Sequence, residues 1–290
     1  MLTILFDGIA YGMLLFILAV GLAVTMGLMN FINLAHGAFA MLGGYITVIL
    51  MQRFDVPFLL CLPLAFIGMA LLGAALERTL YRPMYKKSHL DQVLFSIGLT
   101  FMAVAGMTYF MSSSQQIIQL PEWLKGRTEI GDGAWTLGMG HYRIFIIVVC
   151  AALTLGLQYV LSRTRFGRCL RASVDDQRVA AGLGINVNLV FLSTFSVGSG
   201  LAGLGGAMGA EVLGLDPSFP LKYMIYFLIV VAVGGTSSLT GPLLAALLLG
   251  IADVAGKYYI PKMGAFIVYS LMIVILVWRP QGLFVRKGGK

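Results

Sequence analysis

Asn30, Asn33 and His36 stand three residues apart within GLMNFINLAHGAFAMLGGY (27–45). On a helix that spacing puts all three on roughly one face. Amide and imidazole groups can hydrogen-bond a polar solute or one another. In an apolar setting they are costly unless paired or turned toward a wet cavity. The glycines at 37, 43 and 44 permit close backbone approach or a break in the helix. Two readings fit these residues. One is a discontinuous element beside a solute path, with Asn30, Asn33, His36 and Gly37 on it. The other is hydrogen bonding between helices, or a turn joining two apolar segments.

A second unusual stretch, VAVGGTSSLTGPLLAALL (231–248), places Gly235 and Ser237 among hydroxyls, with Gly241 and Pro242 following. Such a break exposes helix-end N–H groups that can bind an anion or face a cavity. A tight turn between two helices is the alternative. The third is RTRFGRCLRASVDDQRVAAGLGINV (163–187), too long and polar for an ordinary turn. Asp175 and Asp176 suit the positive end of a helix dipole. A short helix over 177–183 would follow, with Ala180 and Ala181 on it and Gly182 and Gly184 to end it. A helix with a small-residue face suits a groove on a soluble partner, and a solvated loop at the lipid headgroups fits equally well.

Other patterns exclude more than they suggest. Gly198-x-Gly200-x-x-Gly203 formally matches a dinucleotide fingerprint but lies inside an apolar stretch, with no strand before it. Gly205-x-x-x-Gly209 there argues for close helix packing. The chain has no GxxxxGK[ST], HExxH or GxSxG, so nothing points to catalysis, a resident cofactor or a metal site. Cys61, Cys150 and Cys169 have neither disulfide-framework nor zinc spacing. Asp7, Glu211 and Asp253 fall near the ends of apolar stretches, where an interfacial position is expected, and no paired carboxylates suggest proton coupling.

The elements that hold these residues follow from hydropathy. Of the 290 residues 59% are hydrophobic and 11% charged, and the mean hydropathy is +0.91. A soluble domain carries about 25% charged residues. Apolar stretches run over 4–26, 31–51, 58–76, 93–112, 144–161, 189–210, 224–234, 242–255 and 265–278. A membrane crossing needs about 20 apolar residues as helix. The expectation is an all-α, polytopic bundle of eight or nine spans with broken helices, forming one domain over residues 1–290. The net charge of +8 is explained by orientation in a membrane, not by nucleic acid. Segments 77–92, 162–188 and 279–290 hold 13 of the 20 basic residues and are expected on the cytoplasmic side. The 113–143 segment, with Pro121, Trp123 and Trp135, then faces outward, as does the N-terminus if three full spans precede the first basic segment. Gly-rich stretches at 37–44 and 198–209 are compatible with an internal duplication.

Read in order, Asn33-Leu34-Ala35-His36-Gly37, Gly43-Gly44-Tyr45, Tyr81-Arg82-Pro83, Arg171-Ala172, Asp175-Asp176, Ala180 and Gly184-Ile185-Asn186 form a pattern. Gly234-Gly235, Gly241-Pro242 and Trp278-Arg279-Pro280-Gln281-Gly282-Leu283-Phe284 complete it. This pattern resembles the smaller membrane permease subunit of branched-chain amino acid ABC importers. One departure is Thr236, where that family more often has a further glycine. The resemblance implies a transport subunit, not an enzyme, in a bacterial cytoplasmic (inner) membrane. It implies a second related permease subunit, two cytoplasmic ATPase subunits that bind the ATP, and a periplasmic substrate-binding protein. It also implies that a segment at about 172–187, with Ala172, Asp175, Asp176, Ala180, Ala181, Gly182 and Gly184, is the helix docking on an ATPase. Permeases for urea, short amides and aromatic acids share the motifs. A stand-alone facilitator would leave the long 162–188 segment without a purpose, and an intramembrane enzyme would lack a positioned nucleophile and base.

Overall fold

The computed structural model describes residues 1–29, 31–130, 137–235, 238–279 and 282–283. In chain order these form α1 (Leu2–Met29), α2 (His36–Phe54), α3 (Phe58–Leu76), a π-helical turn (Glu77–Tyr81), α4 (Arg82–Met84) and α5 (His89–Met111). Then come α6 (Glu122–Lys125), β1 (Arg127–Ile130), β2 (Leu137–Gly140), α7 (His141–Arg163), α8 (Arg165–Asp175) and α9 (Gln177–Gly182). The rest is α10 (Val187–Leu213), α11 (Phe219–Gly234), α12 (Thr240–Tyr259), a 3₁₀ turn (Pro261–Met263) and α13 (Gly264–Trp278).

The fold is the expected all-α, polytopic bundle. Seven helices among the described residues are long and apolar enough to cross a membrane, and the shorter α11 and α13 are also apolar. The stretches read as spans seven and eight are two separate helices, so the described residues hold nine apolar helices. One small antiparallel hairpin interrupts the pattern, with Arg127 opposite Gly140. It lies in the 113–143 segment.

Contacts between elements define two ends. At one, Gly138 N–H donates to Thr3 Oγ1 at 3.1 Å, Asp7 pairs with Arg143, and Gln116 N–H donates to the Leu215 carbonyl. The N-terminus therefore shares this end with the 113–143 segment. At the other, the Tyr85 and Phe191 rings meet at 5.8 Å, and Leu283 N–H reaches the Val233 carbonyl at 2.8 Å. The basic segments 77–92 and 162–188 thus meet at one end through elements that flank them, the arrangement that orientation by positive charge favours.

The core is built on backbone contact. α1 lies at the centre, with 89% of its most apolar stretch buried, against 11% for α5 and 17% for α7 at the periphery. α10 crosses α2 and α3, and α1 crosses α12. A Cβ on Gly206 would overlap the Ala40 carbonyl, and one on Gly43 would overlap Gly203. The two Gly-rich stretches therefore pack on each other. The nearest neighbours of the expected pair Gly205 and Gly209 are side chains, of Leu18, Ile17, Leu14 and Leu213. The closest backbone approach runs through Gly203 and Gly206 instead. Without a hydrophobic driving force between helices in lipid, such small-residue crossings are where packing is gained.

Candidate functional site

The first break is described from residue 31 onward, and Asn30 lies outside the described residues. Between α1 and α2 the chain leaves the helix, and its freed N–H groups need partners, since membrane-depth backbone is tolerated only when satisfied. Each is captured. Phe31 N–H donates to the Thr25 carbonyl at 3.2 Å, Ile32 N–H to Gln92 Oε1 at 3.3 Å, and Leu34 N–H to Ser96 Oγ at 3.1 Å. Ala35 N–H donates to Asn33 Oδ1 at 3.2 Å. The same Asn33 oxygen accepts the Tyr81 hydroxyl at 3.0 Å. Tyr81 is fully buried, on the π-helical turn that follows α3, and its ring meets Phe195 at 4.5 Å and Phe31 at 5.3 Å. π-turns inside helices often mark functional positions.

Asn33 and His36 are 1% and 2% exposed. His36 opens α2 with its ring against Gly21 of α1 and edge-on to Phe39. Gly37 faces Pro220 of α11, where a Cβ would come within 3.1 Å. Asn33 Nδ2 and His36 Nε2 are buried without a hydrogen-bond partner among the described residues. Native interiors rarely leave such groups unpaired, so these two need an explanation beyond packing.

Gly235 ends α11 at φ +80°, a conformation glycine accepts readily. Thr236 and Ser237 lie outside the described residues. Ser238 Oγ accepts from Gly241 N–H at 3.4 Å at the start of α12.

The basic segment is more ordered than a loop. α8 is an amphipathic helix that buries Gly167, Leu170 and Ser173, while Arg165, Arg168 and Arg171 stay exposed. Thr164 caps it, accepting from Gly167 N–H. Asp175 ends α8, and Asp176 alone starts α9, its Oδ1 accepting from Arg178 and Val179 N–H at 2.8 and 3.0 Å. The difference has a simple cause: only an N-cap carboxylate reaches the free N–H groups of the first turn. α9 closes with a Schellman pattern, Ile185 N–H to Ala180 and Gly184 N–H to Ala181, with Gly184 at φ +83°. Ala172 is half-buried on α8. Ala180 was expected on an exposed docking face, yet it turns inward and is 1% exposed. The outward face carries Val179 and Leu183, 58% and 75% exposed, with Ala181 and Gly182. Val179 and Leu183, four positions apart, share the exposed side, and the bundle side took Ala180.

The polar residues of α5 were not singled out from the sequence. Gln92, Ser96 and Thr100 are the buried residues of α5, and their four-residue spacing in an apolar helix was a readable signal. Asp253 was expected near an interface but is 1% exposed, held by Lys257 Nζ at 2.5 Å and the Tyr226 hydroxyl at 3.2 Å. Lys257, one turn on, carries the charge outward, so the carboxylate itself can stay inside. Tyr85, beyond the span, has its phenol pushed up by burial and by the neighbouring Glu77 carboxylate.

Comparison with known proteins agrees with this architecture. Residues 4–276 match the family described as branched-chain amino acid transport system / permease component. The chain is 29% identical to the high-affinity branched-chain amino acid transport system permease protein BraD of Pseudomonas aeruginosa, covering 97% of this chain and 95% of that one. It is 26% identical to the permease protein LivH of the same kind of system in Escherichia coli K12, covering 97% and 94%. It is also 25% identical to the E. coli permease protein LivM, over 93% of this chain and 68% of LivM.

Proposed function

Because the chain belongs to the family of permease components of branched-chain amino acid transport systems, we propose that it is the smaller permease subunit of an ATP-driven importer for branched-chain amino acids. It stands multi-pass in the membrane, in this reading the bacterial inner membrane, with the basic end and the C-terminus cytoplasmic. It works beside a second related permease, two ATPase subunits that bind and hydrolyse ATP, and a periplasmic binding protein. Similarity to both LivH and LivM supports a pair of related permeases.

The observation that carries the reading is the continuity of α10. Its start follows the exposed α9 directly. Its middle packs on α2 at Gly203 and Gly206, beside the break that Asn33 and Tyr81 hold. In the proposed mechanism, the segment with Ala172, Asp175, Asp176, Ala181, Gly182 and Gly184 docks on an ATPase through Val179 and Leu183. Ala180 supports that helix from behind. ATP-driven movement of α9 passes along α10 as a rigid element and shifts its crossing with α2. Asn30, Asn33, His36 and Gly37, with Gly235 and Ser237, then line or gate the path. The unpaired Asn33 Nδ2 and His36 Nε2 are polar groups that a second conformational state can use.

The test is reconstitution in proteoliposomes with the partner permease, ATPases and binding protein. ATP-dependent leucine uptake is expected from the complete assembly and none from the lone chain. Passive solute flux through the lone chain would instead make it a facilitator. A binding protein that takes urea, a short amide or an aromatic acid and ignores leucine would reassign the cargo while leaving the machine intact.

A further inference from the structure

At the basic end, a cavity of about 260 Å³ opens between the end of α1, the α7–α8 elbow and the start of α12. Ala23, Val24 and Leu170 give it an apolar floor, and Arg171, Ser238 and Thr240 form a polar rim. Arg171 is exposed. One guanidinium nitrogen, Nη1, donates to the Leu161 carbonyl, and the group has no ion pair among the described residues. It is also the one charged group among the described residues that line the cavity. Gln158 lies on the same rim, on α7 beside Leu155 and Tyr159, which are 67% and 65% exposed. The mouth therefore adjoins an apolar, outward-facing side of a spanning helix.

A soluble anion would use the rim and leave the floor empty, and an apolar solute would leave the guanidinium unanswered. We propose that this cavity binds one anionic phospholipid of the inner leaflet. Its phosphate lies on Arg171 and the hydroxyls of Ser238 and Thr240, and an acyl chain continues from the floor along α7. Arginine suits phosphate because its planar fork offers several donors at once. Basic pockets between spanning helices on the cytoplasmic side are suited to anionic headgroups. Arg163, Arg165 and Arg168, all exposed on the same elbow, enrich such lipids nearby. The bound lipid bridges α8, which leads into the docking helix, and the start of α12. It would make the position of that segment sensitive to membrane composition.

The experiment is native mass spectrometry of the full chain in detergent, titrated with phosphatidylglycerol or with phosphatidylcholine of the same chains. One phosphatidylglycerol is expected to be retained in preference to phosphatidylcholine. Arg171→Gln should weaken it about fivefold, the worth of one basic contact near a lipid surface, and Arg168→Gln by less than about twofold. Thr240→Trp, at an exposed rim position, should block retention with the helical circular dichroism unchanged. Equal losses in Arg171→Gln and Arg168→Gln would overturn the proposal in favour of diffuse attraction. So would equally tight binding of phosphatidylcholine, or of inorganic phosphate alone. In the assembled complex, a Thr240→Cys variant that cross-links to a partner subunit in place of retaining lipid would assign the cavity to protein contact and overturn it too.

Discussion

The α1–α2 break and the α8–α9 segment both interrupt apolar helices with polar residues, yet they are held in opposite ways. The break borrows its partners from far away in the chain: Gln92 and Ser96 of α5 take N–H groups at 32 and 34, and Tyr81 reaches Asn33. The α8–α9 segment is fastened by its own neighbours, through Thr164, Asp176, Asn186 and the Schellman turn at Gly184. Long-range bonds inside a low-dielectric core pin a segment to the whole fold, because losing one leaves a buried group unpaired. Local caps keep a short helix intact as a unit while leaving its position relative to the bundle cheap to change. The first arrangement suits a constriction and the second a moving contact.

That contrast is most severely broken at the crossing that joins the two regions. Gly206→Val drives a side chain into the Ala40 backbone, and the yield of monodisperse protein should fall by about tenfold or more, since backbone overlap cannot be relieved by rotamers. Asn33→Leu comes next. It strips the acceptor from Ala35 N–H and the Tyr81 hydroxyl, costing about 2–4 kcal/mol. Thermal unfolding in detergent should then drop by about 5–10 °C. Ser96→Ala orphans only Leu34 N–H and should cost about 1–2 kcal/mol in the same assay.

On the exposed side the effects shrink. Asp176→Ala removes the α9 cap and should cost about 1 kcal/mol. Faster amide exchange in α9, with the global melt nearly unchanged, is the expected record. Leu183→Asp sharpens the comparison most, because stability should move by no more than about 0.5 kcal/mol. ATP-coupled uptake by the reconstituted assembly should nevertheless be lost. A Leu183→Asp variant that transports normally would mean that the outward face of α9 is not the docking surface.

The positions of the apolar helices were legible because a hydrocarbon slab imposes length and apolarity on each of them separately. Asp176 and Gly184 were legible for a similar reason: a cap and a left-handed turn are local problems with few residue solutions. α8 itself was not anticipated as a helix, although its arginines at 165, 168 and 171 already showed an amphipathic period. The inward turn of Ala180 and the burial of Asp253 depend on which neighbours arrive, and no window of sequence contains those neighbours.

By itself, then, the sequence determined a membrane-crossing helical chain, its basic end, its two glycine-bearing breaks and the short capped helix after Asp176. Each of these follows from forces that act over one segment. Only the tertiary structure decided that Tyr81, Gln92 and Ser96 close the first break, that Gly203 and Gly206 meet α2, and that Arg171 shares a cavity with Ser238. Those pairings join residues separated by tens of positions. They are settled by which helix faces fit at backbone distance, a property of the assembled bundle and not of any one span.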